Sequence, residues 1–246
     1  MEGNKKLVSV ITVVYNDQAG LRKTINSVVA QGSELLEYIV IDGGSKDGTV
    51  ETAEEFSANI DRFVSEPDGG IYDAMNKGLR LATGQWAIFM NAGDTFAGPD
   101  VLNGLADKFD PAYAIVFGDV EVGNGRIKKQ QGLFDKLGLL TMICHQSLFF
   151  NLALVPREEL LYRHKEYGLS ADMELLLRLQ RDYGASFGKK ADLVICNYDK
   201  GGVSDQQVGK RLAERERLVK TYLSGKPLSL MLHRLQDLYL RRKLLK

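Results

Sequence analysis

Short apolar runs that end at polar turn residues recur through the first 94 residues of this chain of 246 residues. Leu7–Val14 (LVSVITVV) and Trp86–Met90 (WAIFM) are almost wholly apolar and do not alternate, which is typical of strands buried on both faces. Between them the sequence predicts two more strands, at Tyr38–Ile41 and Phe63–Ser65, and three helices. The order β-α-β-α-β-α-β with short loops predicts an α/β fold in which a parallel sheet lies between helices.

The other elements are predicted from apolar periodicity and turn residues. Helices are predicted from Asn16 or Asp17 to about Gln31, at Val50–Ser57, from Ile71 to about Ala82 and at Ala171–Gln180. Further strands are predicted at Ala114–Phe117, Cys144–Phe150 and Asp192–Tyr198, with a hairpin that turns at Gly123-Asn124-Gly125. From about Gln206 the pattern is helical. We therefore expect a mostly parallel α/β domain at residues 1–205 and basic amphipathic helices at residues 206–246.

The composition is that of an ordinary globular protein, with 44% hydrophobic and 26% charged residues. Cys144 and Cys196 are too few for a disulfide framework and lack the spacing of metal ligands, so we expect reduced thiols in a cytoplasmic protein. No apolar signal core follows Met1–Lys6, and no run approaches the roughly 20 apolar residues of a membrane span. The sequence predicts that the protein does not cross a membrane.

Charge is unevenly distributed, although the formal net charge is zero. Residues 205–246 carry 11 Lys and Arg against 4 Asp and Glu, so their net charge is +7 and that of residues 1–204 is −7. The tail combines basic residues with apolar residues at helical spacing, namely Leu228, Met231, Leu232, Leu235, Leu238, Tyr239 and Leu245. This pattern is typical of a helix lying on an anionic membrane, here the inner face of the cell membrane. A helix packed on the α/β domain or on a second subunit of a homodimer, and a solvated helical surface, are the alternatives.

Four carboxylates stand where the predicted elements begin or end. Asp42, Asp68 and Asp94 follow three predicted strands, and Asp172 lies at the start of a later helix. Because parallel strands end at one edge of a sheet, where open α/β sheets bind ligands, we expect the first three to converge. Three carboxylates there suit a ligand with hydrogen-bond donors and a metal-bound diphosphate. Turn and cap roles are the alternative for each residue taken singly.

Four segments resemble the family 2 glycosyltransferases. They are Ser9–Asn16 (SVITVVYN), Val40–Thr49 (VIDGGSKDGT), Glu66–Gly78 (EPDGGIYDAMNKG) and Ala82–Asp94 (ATGQW and NAGD). The resemblance continues through the short sequences His145-Gln146-Ser147, Ala171–Leu175 and Gly201–Ser204, so it covers roughly residues 7–204. Within the family the chain looks most like bacterial enzymes of surface-polysaccharide biosynthesis. The resemblance implies a GT-A fold, a nucleotide-sugar donor such as a UDP-sugar, a divalent metal (Mn²⁺ or Mg²⁺) and inversion at the anomeric carbon.

The resemblance also implies roles for residues of the donor site. Thr12 and Tyr15 match the first-strand segment that flanks the nucleobase, and Asp42 matches an aspartate that accepts a hydrogen bond from the base. Asp68 stands where the family approaches the base and ribose. Asn91-Ala92-Gly93-Asp94 occupies the place of the metal-binding signature, but Asn91 and Gly93 replace carboxylates often found there. Asp94 is therefore the residue expected to bind the metal.

Asp172 matches the general base of the family, with Glu174 as the second candidate. In an inverting transfer the acceptor hydroxyl attacks the anomeric carbon as the nucleoside diphosphate leaves. A carboxylate that takes the hydroxyl proton contributes typically 10²–10⁴-fold to the rate. The alternative for Asp172 is a helix N-cap.

His145 and Gln146 match a family segment near the acceptor or the diphosphate, although a lone histidine beside a strand is otherwise usually a core residue. Ser204, with Gly201 and Gly202, is expected in a loop that closes over the donor. The sequence thus predicts a cytoplasmic, inverting, metal-assisted glycosyltransferase that acts on a glycan or lipid-linked glycan acceptor.

Two other functions are consistent with parts of the sequence. A sugar-phosphate nucleotidyltransferase would need a glycine-rich loop with Arg or Lys after the first strand, and the sequence there is Tyr15-Asn16-Asp17-Gln18. A non-catalytic nucleotide-sugar-binding protein would explain the altered metal signature at Asn91–Asp94. Nucleic acid is not an expected partner, because no recognised binding motif accompanies the basic tail.

Overall fold

The computed structural model describes residues 6–32, 34, 36–123, 125–134, 140–141, 143–198, 208–224, 231, 233–236 and 238, without the side chains of residues 208 and 211. Its strands are β1 (Val8–Val14), β2 (Leu36–Asp42), β3 (Arg62–Ser65), β4 (Trp86–Phe89), β5 (Thr95–Phe96), β6 (Ile115–Val122), β7 (Arg126–Lys128), β8 (Leu148–Asn151) and β9 (Gly188–Tyr198). Its α-helices are α1 (Gln18–Val29), α2 (Thr49–Glu55), α3 (Ile71–Leu81), α4 (Val101–Leu105), α5 (Arg157–Leu160), α6 (His164–Tyr167), α7 (Ala171–Tyr183) and α8 (Val208–Leu223).

The nine strands form one sheet in the order β3-β2-β1-β4-β8-β6-β9-β5, with β7 paired to β6. Strand β1 lies between β2 and β4 and is parallel to both, with Val14 opposite Asp42 and Ile11 opposite Phe89. This parallel half confirms the predicted β-α-β-α-β-α-β order. Strand β8 is antiparallel to β4 and β6, and β5 is antiparallel to β9, so the sheet is mixed beyond β4.

The second half differs from the sequence prediction in several places, and helices α4, α5 and α6 were not predicted. The predicted strand at Cys144–Phe150 begins as a short 3₁₀ helix, His145–Ser147, and only Leu148–Asn151 is extended. The two-residue strand β5 was not predicted, because Thr95 and Phe96 are too few to show a period. The hairpin of β6 and β7 is confirmed, since Val122 pairs with Arg126 across the predicted turn.

Both faces of the sheet are covered, which is why β1 is apolar along its whole length. Ile11 and Val13 face the core beneath α3, whereas Val10 and Val14 face the core beneath α1. Helix α3 approaches β1 closely at Gly78, where a Cβ atom would lie 2.4 Å from Cγ2 of Ile11. This close approach places the start of α3 over the edge where β1–β4 end.

Helix α8 packs into the same core as the sheet. Leu218, Val219 and Leu223 are buried in the cluster that contains Leu175 of α7, and the Tyr222 hydroxyl donates to Glu174 Oε1 at 2.6 Å. The start of the predicted C-terminal extension is thus buried against the α/β domain, and a boundary near residue 205 stays a prediction. Among the described residues, no helix is both long enough and apolar enough to span a membrane.

Candidate active site at the carboxyl edge of the sheet

The loops after β1 and β2 are joined through Asn16. Its φ angle is +49°, in the left-handed region that asparagine tolerates better than most residues. The backbone N–H of Asn16 donates to Ser45 Oγ at 2.7 Å, and Oδ1 of Asn16 accepts from the Lys46 N–H at 2.8 Å. The loops that follow the two strands therefore form one rigid wall of the site.

Asp42 is fully buried at the centre of this wall. Its Oδ2 accepts from the Ser45 N–H at 3.0 Å and from Ser65 Oγ at 2.6 Å, and its Oδ1 accepts from Ser45 Oγ. The carboxylate thus holds the ends of β2 and β3 together. The side chain has no exposed surface, and its contact with a base stays a prediction.

Tyr15 and Asp68 flank Gly43 on the same wall. Tyr15 is 66% exposed. A Cβ atom at Gly43, which is buried, would lie 2.8 Å from Oδ2 of Asp68 and 3.2 Å from Cδ2 of Tyr15, so both side chains pack over this glycine. Asp68 is held by the Gly70 N–H, which donates to its Oδ1 at 2.8 Å. The structure therefore brings together two of the predicted nucleotide-binding residues.

Thr12 lies behind this wall and has no exposed surface. Its hydroxyl donates to the Met90 carbonyl at 2.7 Å and lies 3.0 Å from the Tyr38 hydroxyl. Thr12 therefore anchors the segment that leads to Asn91, and its role beside the nucleobase stays a prediction.

The segment Asn91–Asp94 lies against His145 and Gln146. Gln146 Nε2 donates to Oδ2 of Asp94 at 2.9 Å, and Asn91 Nδ2 lies 3.1 Å from His145 Nε2. The predicted metal signature and the predicted acceptor or diphosphate segment are thus neighbours across the end of β4. Burial lowers the pKa of His145 to about 4, so its imidazole is neutral near pH 7 and can accept from the Asn91 amide.

Oxygen atoms of this segment suit a hard divalent cation. Asp94 is 8% exposed and supplies a carboxylate, and Oδ1 of Asn91 is buried without a hydrogen-bond partner. Across the described ranges no group of three or more His, Cys, Asp and Glu side chains could hold a metal. Mg²⁺ is commonly bound by one or two protein ligands together with waters and substrate phosphates, and these residues fit that arrangement.

Asp172 is the second residue of α7, and its Oδ1 accepts from the Met173 N–H at 2.7 Å. Tyr72, in the first turn of α3, lies beside Asp172. Its hydroxyl donates to the Leu169 carbonyl at 3.1 Å, and burial, together with the charge of Asp172, raises the pKa of Tyr72 well above its ordinary value. Because Tyr72 follows the turn that holds Asp68, one helical turn joins the Tyr15–Asp68 wall to Asp172.

Glu174, the second candidate base, is fully buried. It is ion-paired with Arg178 at 3.0 Å and accepts from the Tyr222 hydroxyl at 2.6 Å. Its position supports a structural role and no contact with substrate.

Sequence reasoning missed Tyr72 and Tyr162. Their rings stack with centroids 5.1 Å apart, beside Asp172. Tyr72 lies inside a segment that resembles the family, so its position there was the available signal, whereas nothing in the sequence connects it with Tyr162. Ser204 and its glycines lie outside the described residues.

The site has a wall of loops at the sheet edge, the oxygen atoms of Asn91 and Asp94 beside it, and the carboxylate of Asp172 on a facing helix. This is the arrangement of a GT-A glycosyltransferase. Residues 9–164 match the family model described as glycosyl transferase family 2. The chain therefore belongs to this family and is a glycosyltransferase.

Known proteins extend the comparison over most of the chain. It is 35% identical over 210 residues to an uncharacterized glycosyltransferase of Mycobacterium tuberculosis, a match that covers 81% of this chain and 78% of that protein. It is 31% identical over 221 residues to a PGL/p-HBAD biosynthesis glycosyltransferase of Mycobacterium bovis, with 85% and 83% covered. Glucosyl-3-phosphoglycerate synthase from Mycobacterium tuberculosis, solved with Mn²⁺, UDP and glucosyl-3-phosphoglycerate, has the same fold, with a TM-score of 0.59, 17% identity and coverage of 88% and 80%.

Proposed function

We propose that this protein is an inverting glycosyltransferase that transfers one hexose-type sugar from a nucleoside diphosphate donor to a hydroxyl of a glycan acceptor. The observation that carries the proposal is the link between the Asp68 turn and Asp172. Asp68 is held in the turn before α3, and Tyr72 in the first turn of α3 donates to the Leu169 carbonyl, just before α7, and interacts with Asp172. We infer that the Asp172 carboxylate lies on the acceptor side of a nucleotide-binding wall.

Asp172 would act as the general base. As the acceptor oxygen forms its bond to the anomeric carbon, the bond to the diphosphate breaks on the opposite face and the configuration inverts. One carboxylate oxygen takes the proton of the acceptor hydroxyl, which is worth typically 10²–10⁴-fold in rate. Oδ1 of Asp172 accepts from the Met173 N–H at 2.7 Å, which orients the carboxylate at the start of α7.

The donor would lie along the edge from Tyr15 to Asp94. Tyr15 and Asp68 would flank the base, while Asp42 would keep the wall rigid from behind. Asp94 and Oδ1 of Asn91 would hold Mn²⁺ or Mg²⁺, which when bound offsets the charge on the leaving diphosphate. A structure of the same fold with Mn²⁺ and UDP supports a uridine nucleotide as the first candidate.

The acceptor would be carried on a lipid in the synthesis of a surface glycan. A relative that is 31% identical is named for PGL/p-HBAD biosynthesis, which supports a lipid-linked product. Met231, Leu235 and Leu238 are 52%, 57% and 57% exposed and recur at helical spacing, in a tail of net charge +7. Such a surface would bind an anionic membrane reversibly at the cytoplasmic face. A homodimer through the same surface is the competing arrangement.

The first test is calorimetric binding of UDP, GDP, CDP and dTDP, each with and without Mn²⁺. We expect one diphosphate to bind tightly only with the metal and to lose that dependence in Asp94→Ala. Metal-independent binding would remove Asp94 from its role and leave the family unchanged. Binding of none of them would contradict the proposed function.

A second measurement separates an enzyme from a nucleotide-sugar-binding protein. Asp172→Asn should bind the identified diphosphate as the wild type does, while hydrolysis or transfer of the corresponding nucleotide sugar falls by about 10²-fold or more. Equal turnover in both proteins, or none in either under donor-saturating conditions, would contradict a catalytic role for Asp172.

A further inference from the structure

A cavity of about 250 Å³ lies on the segment that precedes and begins α6. It is lined by Tyr162, Arg163, His164, Lys165 and Glu166. The ring of Tyr162 stacks on that of Tyr72, with centroids 5.1 Å apart, and the charge of Asp172 acts on both hydroxyls. One of the residues that line the cavity therefore lies beside the proposed general base.

The hydroxyl of Tyr162 is an unpartnered polar group at this position. Tyr162 is 3% exposed, and its hydroxyl has no hydrogen-bond partner among the described residues. A buried hydroxyl left without a partner costs about 1–3 kcal/mol. The charge of Asp172 also acts on this hydroxyl and, after burial, helps to raise the pKa of Tyr162. A ligand oxygen that accepts from Tyr162 would satisfy a group that the fold leaves open beside the base.

The segment that carries Tyr162 is held by side chains of α3 and α7. Asn76 donates to the Tyr162 carbonyl at 3.0 Å and accepts from the Tyr162 N–H at 2.8 Å. Arg178, which is 3% exposed and paired with Glu174, donates to the carbonyls of Glu159 and Leu161. The segment is therefore fixed by buried contacts, and the cavity does not depend on a mobile loop.

The charges around the cavity suit an anionic group. Arg163 is 52% exposed, with Nη1 3.7 Å from Glu174, and Lys165 is exposed. Four of the five lining residues can donate hydrogen bonds, and Glu166 is the one acid among them. The charge of Asp73 acts on His164 and Lys165, and its Oδ2 accepts from the Gly69 N–H at 3.0 Å.

We propose that this cavity is an acceptor subsite that binds a phosphate group, with Arg163 and Lys165 recognising its charge and the Tyr162 hydroxyl orienting the acceptor beside Asp172. The proposal rests on the proposed function and adds the chemical class of the acceptor. It predicts an acceptor that carries a phosphate near the hydroxyl that reacts.

The test uses inorganic phosphate on the full-length protein saturated with the nucleoside diphosphate found by calorimetry. The chain has three histidines, so the imidazole signals of His164 can be assigned by NMR with His164→Gln. Phosphate should shift the His164 signals saturably, and the double variant Arg163→Gln, Lys165→Gln should weaken that binding about ten-fold or more, equivalent to about 1.4 kcal/mol. Lys108→Gln, which removes an exposed lysine paired with Asp107, is the matched control and should bind phosphate as the wild type does.

Two results would overturn the proposal. One is equal phosphate affinity in the double variant and in the Lys108→Gln control. The other is a neutral methyl glycoside that shifts His164 as strongly as phosphate does. Dodecyl phosphate and glycerol phosphate, compared as competitors of phosphate, assign the group to a lipid carrier or to the glycan, and either assignment supports the subsite.

Acceptor-independent hydrolysis of the nucleotide sugar keeps the two proposals separate. It should be unchanged in the Arg163, Lys165 double variant, whereas Tyr162→Phe should raise the KM for a phosphate-bearing acceptor several-fold, as expected for one lost hydrogen bond. The phosphate titration is repeated on the protein without nucleotide. Absence of donor binding and hydrolysis in the wild type would then contradict the proposed function and leave the phosphate measurement standing. Normal hydrolysis with no phosphate binding would contradict the subsite alone.

Discussion

Gln146 Nε2 donates to Oδ2 of Asp94 at 2.9 Å, while Oε1 of the same amide accepts from the Cys144 thiol at 2.8 Å. The amide therefore fixes the orientation of the carboxylate that we assign to the metal. Residues that orient metal ligands typically change metal affinity by about 10–100-fold when they are replaced.

We accordingly expect Gln146→Leu to weaken Mn²⁺-dependent binding of the nucleoside diphosphate by about ten-fold or more. Calorimetry with and without Mn²⁺ measures the effect, and thermal unfolding checks that the variant is folded. Metal-free affinity should be unchanged. A folded variant with wild-type metal dependence would show that Gln146 does not orient Asp94.

Tyr72→Phe should slow turnover and move the acidic limb of the pH–rate profile to higher pH. The Tyr72 hydroxyl donates to the Leu169 carbonyl at 3.1 Å and lies near enough to Asp172 for the two groups to interact. Without this hydroxyl an apolar ring faces Asp172, and a less polar surrounding raises the pKa of a carboxyl group, so activity is lost at a higher pH.

Tyr162→Phe is the matched control for this effect, because the two rings stack and, among the residues that the structure describes, the Tyr162 hydroxyl has no hydrogen-bond partner. It should leave the acidic limb in place while raising the acceptor KM. Identical pH profiles for the wild type and Tyr72→Phe would contradict the positioning role of Tyr72.

His145 should make the folded state less stable at acidic pH. Burial lowers its pKa from 6.5 to about 4. Between these values the unfolded chain binds a proton that the native state does not, so the contribution of neutral His145 to stability falls as the pH drops from about 6.5 to about 4.

The loss attributable to His145 is at most about 3 kcal/mol, and less in practice because the side chain keeps some solvent contact. Urea unfolding of the wild type and of His145→Gln at several pH values isolates the contribution of His145, since the other groups titrate equally in the two proteins. The difference in unfolding free energy should change across this window. A difference that does not vary with pH would mean that His145 titrates alike in both states.

The buried pair Glu174–Arg178 should be the most sensitive electrostatic contact of the fold. Glu174→Gln leaves the Arg178 guanidinium buried without its counter-charge, which typically costs about 3–5 kcal/mol. Tyr222→Phe, which removes the hydroxyl bonded to Glu174, should cost about 1–3 kcal/mol.

The exposed pair Arg181–Asp182 on the same helix provides the control. Asp182→Asn should change the unfolding free energy by no more than about 1 kcal/mol. Denaturant unfolding measures all three variants. Equal effects of Glu174→Gln and Asp182→Asn would show that the buried Glu174–Arg178 pair stabilises the fold no more than the exposed pair does.

The sequence predicted the parallel half of the sheet well, because each strand from β1 to β4 is a short apolar run that stops at polar residues. It also predicted the convergence of Asp68 and Asp94 on one edge, which follows from strand direction alone. The burial of Thr12 and Asp42 was not predictable, since a motif gives the position of a side chain along the chain and not the neighbours that cover it.

The surroundings of Asp172, on the proposed acceptor side, were harder to predict for a related reason. Tyr72 and Tyr162 are 90 positions apart in the sequence, and they meet because Asn76 and Arg178 hold the Tyr162 segment against α3 and α7. Contacts of that kind depend on tertiary packing and leave no periodic signal. Strand β5 was not predicted because two residues are too few to show a period. The start of β8 was misplaced because the residues before Leu148 form a 3₁₀ turn.

The C-terminal segment gives the last prediction, which concerns membrane binding. His233 is buried and its Nε2 accepts from the Leu140 N–H at 2.8 Å, so one face of the segment is held on the α/β domain. Met231, Leu235 and Leu238 are exposed. Because the packed face is already occupied by His233, the exposed residues are available to a membrane or to a second subunit.

We expect the triple variant Met231→Ser, Leu235→Ser, Leu238→Ser to lose sedimentation with anionic vesicles while keeping donor hydrolysis. Wild-type sedimentation should decrease with added salt, because each basic residue near an anionic surface contributes about 1 kcal/mol through a screened interaction. Replacing three other exposed apolar residues, Val29, Ile127 and Leu154, by serine is the control and should leave sedimentation intact. Wild-type protein that stays in the supernatant, and whose dimer dissociates in the triple variant on size-exclusion chromatography, would assign this surface to a homodimer instead.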